Sequence, residues 1–214
     1  MISLQEYFAE RVSVADFMRR LYERGLTPSL GGNISFRIGD IVLITPAGAD
    51  KGRLTGEQIG IISMKGEKLT PGIEFSIETE MHLSVLKNRA DISAVIHAHP
   101  TIATFFTAAD VNINTMLTVE AYAVLGSPIK APYALMGTKQ LAHSVSQAAL
   151  KSNVVLMENH GVLTVGKSLL EALNRMEVLE STAKMNWIIR SGLNCVKTLT
   201  PQALEEISKK SDKT

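Results

Sequence analysis

The chain has a single cysteine, Cys195, among its 214 residues. An internal disulfide is therefore excluded, and the usage suits a reducing cytosol, so a cytoplasmic setting is expected. No candidate base stands near Cys195 in sequence, and it reads as a structural thiol. A charge excess of either sign is also lacking. The 22 basic and 21 acidic residues leave a formal net charge of +1, and the longest basic run in the tail is Lys209-Lys210. Nucleic-acid binding needs a concentrated positive patch, so nucleic acid is not expected as a partner. No apolar run approaches the roughly 18 to 20 residues that span a bilayer. Met1 to Glu10, with Glu6 and Glu10, has neither the basic start nor the apolar core of a secretory signal. No membrane association is expected. Repeats, low-complexity tracts and linkers are missing as well. What remains is 45% hydrophobic and 20% charged, which suits one large globular domain over residues 1–214, with 209–214 as a frayed tail.

Short strands and helices alternate along the chain. Leu4, Phe8, Val12, Ala15, Met18 and Tyr22 recur at helical spacing and predict an amphipathic helix from Ser3 to Arg24, stopped by Gly25. Strands are expected from about Asn33, over Ile41 to Thr45 and Gly60 to Met64, and later over Val154 to Met157 and Val162 to Val165. Helices are expected from Ile77 to Asn88 with Ser76 as cap, Thr101 to Ala109, Thr138 to Leu150, Ser168 to Arg190, and from Thr200-Pro201 onward. In the Thr138 helix, Leu141, Val145 and Ala149 form the buried side, opposite Lys139, His143 and Gln147. The segment Ile113 to Met136 holds only two charges, Glu120 and Lys130, which makes it core or subunit interface. This mixture predicts a layered α/β domain.

One stretch carries chemistry. Ala94 to Pro100 reads Ala-Val-Ile-His-Ala-His-Pro, an apolar run ending in two histidines one residue apart. Strand alternation sends His97 and His99 out on the side of Val95, with Ala94, Ile96 and Ala98 opposite. Two positions along a strand span roughly 6.6 to 7 Å, from which two imidazoles converge on one ion at about 2.0 to 2.1 Å from each nitrogen. His160 in a strand-to-strand bend and Glu78 at a helix start are the other ligand-type residues in unusual settings. Three imidazoles with one displaceable position form the pattern of a catalytic zinc or similar dication.

Six phrases then stand in a recognisable order: Gly-Gly-Asn-Ile-Ser (31 to 35), Leu-Ile-Thr-Pro-Ala-Gly (43 to 48), Ser-Ile-Glu-Thr-Glu-Met-His (76 to 82), Val-Ile-His-Ala-His-Pro (95 to 100), Ala-Pro-Tyr-Ala (131 to 134) with Gly137-Thr138, and Glu-Asn-His-Gly-Val-Leu (158 to 163). Together they resemble the class II aldolase and adducin family, and the pattern is nearest its enzymes that cleave L-fuculose 1-phosphate. The resemblance implies an α/β/α three-layer fold around a central, mainly antiparallel sheet, and a homotetramer with active sites between subunits. It implies a zinc-dependent aldolase, or one using Mn2+ or Co2+, that cleaves a ketose 1-phosphate to dihydroxyacetone phosphate and an aldehyde through a metal-stabilised enediolate. His97, His99 and His160 would be the metal ligands. Glu78 would be both the acid/base and the metal's resting ligand. Asn33, Gly48 and Ser76 would bind the substrate phosphate, and Lys51 is a further source of charge there.

The chain departs from the family pattern at four places, one being that no tyrosine follows Tyr133 where the family uses one near the C-terminus. Ala47 stands where a hydroxyl residue is usual, and Ile77 replaces a serine. Thr118 falls where a tyrosine from the neighbouring subunit is expected; Tyr122 and Glu120 are the nearby substitutes, equally readable as interface packing. For His82, one helical turn after Glu78, orientation of the site and simple packing remain equal readings. A metal-dependent sugar-phosphate dehydratase of the methylthioribulose-1-phosphate type, a related decarboxylase, and a non-enzymatic adducin-like binding domain are the alternative functions.

Overall fold

The computed structural model describes residues 5–192 and 196–211, so the expectations for Leu4, Cys195 and residues 212–214 lie outside the described residues. Seven strands form one sheet: Asn33–Ile38 (β1), Ile41–Ile44 (β2), Gly60–Ser63 (β3), Ala94–Ala98 (β4), Ile129–Ala131 (β5), Val154–Met157 (β6) and Gly161–Gly166 (β7). Their spatial order is β3-β2-β1-β4-β7-β6-β5. Every pairing is antiparallel except β5 with β6, which is parallel. The helices are Phe8–Glu23 (α1), Thr79–Asn88 (α2), Thr101–Thr107 (α3), Val119–Leu125 (α4), Lys139–Ala149 (α5), Leu169–Gly192 (α6) and Pro201–Ser211 (α7).

Alternation along β4 shows why the sheet is covered on both faces. Ala94, Ile96 and Ala98 join a core with Val14 and Met18 of α1, Phe106 of α3 and Leu173 of α6. Val95 joins the opposite core with Leu83 and Leu86 of α2 and Leu141 and Val145 of α5. Each fully buried aliphatic side chain contributes roughly 1.5–3 kcal/mol relative to exposure, and strands wanted on both sides read as unbroken apolar runs. The expected α/β/α layering is present, with helices α2 and α5 on one face and α1, α3, α4 and α6 on the other.

The first helix begins at Phe8 and buries only Ala15 and Met18 of the described residues in the expected stripe. Val14, Ala15, Met18 and Leu21 are buried, whereas Phe8 and Tyr22 are 43% and 39% exposed. Arg11 decides the rotation. Its guanidinium donates to the Ile59 and Glu57 carbonyls at 3.0 and 2.8 Å, which draws a charged residue to the inner face. Gly25, at φ 67°, ends α1 as expected, with Leu26 N–H donating to the Leu21 carbonyl at 2.9 Å, a Schellman closure.

Segment 113–136 is both core and surface. It contains α4 and β5, neither of which the sequence pattern announces, buries Ile113, Ala121, Leu125 and Ala131, and exposes Met116, Val119, Tyr133, Leu135 and Met136. At the other end, Lys209–Ser211 continue α7 instead of fraying, with Lys209 paired to Glu205 one turn earlier at 2.6 Å. The α5 faces are as predicted, with Thr138 capping at 3.2 Å and His143 exposed.

Candidate active site

The C-terminal end of β4 and the β6–β7 turn place three imidazoles side by side. His97 pairs in register with Asn33 on β1 and Leu163 on β7 and is fully buried. Its Nδ1–H donates to the Val162 carbonyl at 2.9 Å. A carbonyl only accepts, so Nδ1 carries the proton and Nε2 presents its lone pair inward. His99 lies one residue past the strand end, where its backbone N–H donates to Leu26 at 3.1 Å. His160 is aimed by the turn: Asn159 adopts φ 53°, a left-handed conformation that asparagine tolerates. Ring centroids lie 4.7 Å (His97 to His99), 4.9 Å (His97 to His160) and 5.7 Å (His99 to His160) apart. One nitrogen from each ring falls within 4.8 Å of the other two.

Bare backbone makes this convergence possible. A Cβ on Gly161 would stand 2.5 Å from His99 Cδ2 and 2.8 Å from the Ala98 carbonyl. One on Gly32 would stand 2.8 Å from the His97 carbonyl, at φ 68°. The Gly-Gly pair preceding β1 therefore serves close packing of the histidine strand.

Glu78 closes the cluster. It is 7% exposed, with Oε2 at 3.4 Å from His97 Nε2 and Oε1 at 3.3 Å from His160 Nε2. The helix starts at Thr79, not Ile77, so Glu78 occupies the cap position with its side chain making no cap hydrogen bond. Ser76 instead organises the entry. Its carbonyl accepts from Thr79 N–H at 3.0 Å, and its hydroxyl oxygen accepts from Glu78 N–H at 3.2 Å. The carboxylate is turned away because Asn33 Nδ2 donates to Oε2 at 2.8 Å.

Burial pushes the Glu78 carboxyl up, but His97, the Asn33 hydrogen bond, His160 and His82 together outweigh it and hold the group below the usual carboxylate range. Burial is the main reason that His99 falls to about 4, with His97 and His160 adding to it. Burial also lowers His160. His99 and His160 are thus biased toward the neutral, lone-pair form that a cation requires.

A dication fits these residues. His97 Nε2 and Glu78 Oε1 are buried and make no hydrogen bond, a cost of roughly 1–3 kcal/mol for each such atom. Neutral nitrogens with one carboxylate are the donor set of an open-sided zinc-type site.

Asn33 and Ser76, expected at the phosphate end, are brought together, with Asn33 Nδ2 at 3.1 Å from Ser76 Oγ. Ser76 accepts in both of its contacts, which leaves its hydroxyl proton available to donate. Gly48 lies in a turn tied to the segment before Ser76, Ala47 N–H donating to the Glu74 carbonyl at 3.0 Å. Lys51 is buried, and its Nζ donates to the Pro46 carbonyl at 2.7 Å. Burial lowers its ammonium to about 8. Thr118 caps α4, accepting from Ala121 N–H at 3.1 Å, and the Tyr122 hydroxyl accepts from Ser208 at 3.4 Å.

Ser35 escaped the sequence reading. Its Oγ lies 2.7 Å from His82 Nδ1, and both are fully buried. The signal was present in β1, where Asn33 and Ser35 share a face between the apolar Ile34 and Phe36.

Known proteins resemble this chain throughout. The L-fuculose phosphate aldolase of Methanococcus maripaludis (strain S2) is 36% identical over 173 residues, 81% of this chain and 93% of that protein. The 3-oxo-tetronate 4-phosphate decarboxylase of Haemophilus influenzae is 33% identical over 183 residues, 83% of this chain and 86% of that protein. The crystal structure of YgbL from Escherichia coli, described as a putative aldolase/epimerase/decarboxylase, superposes with a TM-score of 0.88 at 28% identity, covering 95% of this chain and 99% of that one. The profile of the Class II Aldolase and Adducin N-terminal domain matches residues 12–187, and the chain belongs to that family.

Proposed function

We propose that the chain is a metal-dependent carbon–carbon lyase for a small phosphorylated sugar, cleaving a ketose 1-phosphate of the L-fuculose type to dihydroxyacetone phosphate and an aldehyde. One observation carries the reading: three imidazoles converge beside Glu78, and His97 Nε2 and Glu78 Oε1 are buried there without a hydrogen bond. A purely structural adducin-like role has no use for such an arrangement. The three histidines would hold the ion, zinc or another dication such as Mn2+ or Co2+, with Glu78 beside them. When bound, that ion supplies Lewis-acid stabilisation for the negative charge that bond cleavage leaves on the substrate oxygens.

Glu78 moves the proton. Asn33 holds its Oε2, and the Oε1 left without a hydrogen bond serves the donor carbon as acid and base. The Ser76 hydroxyl and the Gly48 turn bind the phosphate, Asn33 holds Ser76 in place with both of its amide protons engaged, and the buried Lys51 ammonium adds positive potential behind that turn. The names of the aldolase relatives support this assignment.

A second reading, the decarboxylation of a 3-oxo sugar-acid phosphate, is favoured by the relative of that name and by Thr118. Retro-aldol cleavage must take a proton from a substrate hydroxyl as the aldehyde forms, whereas loss of carbon dioxide needs no such acceptor. Thr118, whose hydroxyl is engaged as a helix cap, suits the second case.

The assembly is a homotetramer with sites between subunits. Supporting this, Ile77, Tyr133, Leu135 and Met136 are 58–61% exposed, and Ile77 lies 3.4 Å from where a Gly137 side chain would begin. Together they form an apolar surface beside Glu78.

The test is a set of assays on the zinc-, manganese- and cobalt-loaded protein, following dihydroxyacetone phosphate release from ketose 1-phosphates and from 3-oxo-tetronate 4-phosphates. Aldehyde as co-product assigns the aldolase, and carbon dioxide the decarboxylase. His97→Ala is expected to abolish turnover and lower bound metal; undiminished activity in that variant overturns the lyase reading.

A further inference from the structure

Three buried side chains behind Glu78 form a chain of hydrogen bonds with a single direction. Glu78 Oε2 only accepts as a carboxylate, so the Asn33 group facing it at 2.8 Å is the amide Nδ2, which also donates to Ser76 Oγ. That orientation leaves Asn33 Oδ1 turned toward His82, where it accepts from Nε2. His82 therefore carries its proton on Nε2, and its Nδ1 accepts from the Ser35 hydroxyl at 2.7 Å. Ser35, His82 and Asn33 are 0%, 0% and 4% exposed, so no water competes for these groups. The histidine belongs to α2, one turn after Glu78, while Ser35 and Asn33 belong to β1. The chain thus ties the helix that begins at Glu78 to the sheet.

We propose that His82 is a positioning residue: through Asn33 it fixes the rotation of the Glu78 carboxylate, with Oε2 held by the protein and Oε1 left as the oxygen that meets substrate. The opposite tautomer, with the proton on Nδ1, would place a lone pair against Asn33 Oδ1. Restoring that contact would require the amide to turn its oxygen toward a carboxylate. The direction of the whole chain is therefore set by the negative charge at its end. Oε1 is the orphaned oxygen of the pair, and it faces His160 at 3.3 Å. The proposal rests on the lyase reading only for what Oε1 does, not for how it is placed.

Two measurements on the full-length zinc-loaded chain test it. In two-bond nitrogen-15 spectra of the histidine-labelled protein, His82 is expected as the neutral Nε2–H tautomer, in contrast to His97 as Nδ1–H. Ser35→Ala, which removes the donor to Nδ1, is expected to shift the His82 nitrogen signals. The second measurement is a substitution series. Glutamine places its amide donor where Nε2 stands, asparagine reaches no further than Nδ1, and leucine fills the space without donating. His82→Gln is expected to keep kcat within about three-fold, while His82→Asn and His82→Leu lower it about 10–100-fold at unchanged KM and zinc content. A packing role predicts instead that leucine is tolerated best. An Nδ1–H tautomer at His82, or leucine performing as well as glutamine, overturns the proposal. If the parent enzyme turns over no sugar phosphate, the lyase reading falls, while the tautomer and the Ser35→Ala shift still decide the placement of Oε1.

Discussion

At the level of single residues, the site depends as much on absent side chains as on present ones. Gly161→Ala would force a methyl group to 2.5 Å from His99 and 2.8 Å from the Ala98 carbonyl, where backbone cannot yield. A loss of about 1–3 kcal/mol in stability and weaker metal uptake are expected, measurable by urea unfolding and zinc titration. Glu78→Gln keeps the shape of the side chain but removes its charge. Bound zinc is expected to remain within two-fold of the parent, while proton exchange at the donor carbon, followed by deuterium incorporation, slows about 10²–10⁴-fold. Of these residues, His97 and His99 were legible because strand alternation alone puts them on one side. His160 carries no such local mark. Its place in a strand-to-strand bend made it a candidate that reads equally as a polar turn residue, and the phrase Glu-Asn-His-Gly singled it out, because the contact crosses from the β6–β7 turn to the end of β4. Ser35 and His82 were undervalued for the same reason: a hydrogen bond between a strand and a helix leaves no periodic trace.

Among the elements, long helices and the central strands were readable, and the misses are physical. Ala15 and Met18 of the expected α1 stripe are buried, but Phe8, Val12 and Tyr22 fit the period as well as Val14 and Leu21, which take the remaining inner positions. The pull of the Ile59 and Glu57 carbonyls on Arg11 cannot be read from periodicity. The rotation makes a direct prediction. Met18→Ala, which empties a fully buried position, is expected to cost about 2–5 kcal/mol, whereas Phe8→Ala costs under about 1 kcal/mol. Chemical denaturation of the two variants measures the difference, and equal costs would contradict the observed face. Helix α4 and strand β5 were invisible for another reason. Seven and three residues respectively are too few to display a period, and β5 depends on the parallel edge offered by β6.

Taken whole, the molecule holds an ionisable group in each place where burial has displaced its titration. His82 titrates near 3 instead of 6.5, chiefly from burial, partly countered by Glu78. Its folded form therefore resists the proton that the unfolded chain accepts. Stability from this group is complete above about 6.5 and declines as the pH falls toward 3, by up to about 1.4 kcal/mol per unit. Urea midpoints of the metal-free protein between pH 7 and 4 test this, and His82→Gln is expected to flatten the slope. The apolar surface near Glu78 makes a separate prediction at this scale. Leu135→Glu is expected to dissociate the proposed tetramer in light scattering, and an unchanged particle mass would remove the interface argument. A layered α/β domain was legible in the alternation of strands and helices, whereas the covering of both sheet faces followed only from the family resemblance.

The antiparallel zipping of β4 to β7, which sets Ala98 against Val162, has a consequence for ion binding. Glu78, the β4 histidines and the hairpin that carries His160 become neighbours only after those distant strands have closed on one another. A dication held by the cluster would therefore bind the closed pairing and not the unfolded polypeptide, and its addition is expected to raise the unfolding midpoint.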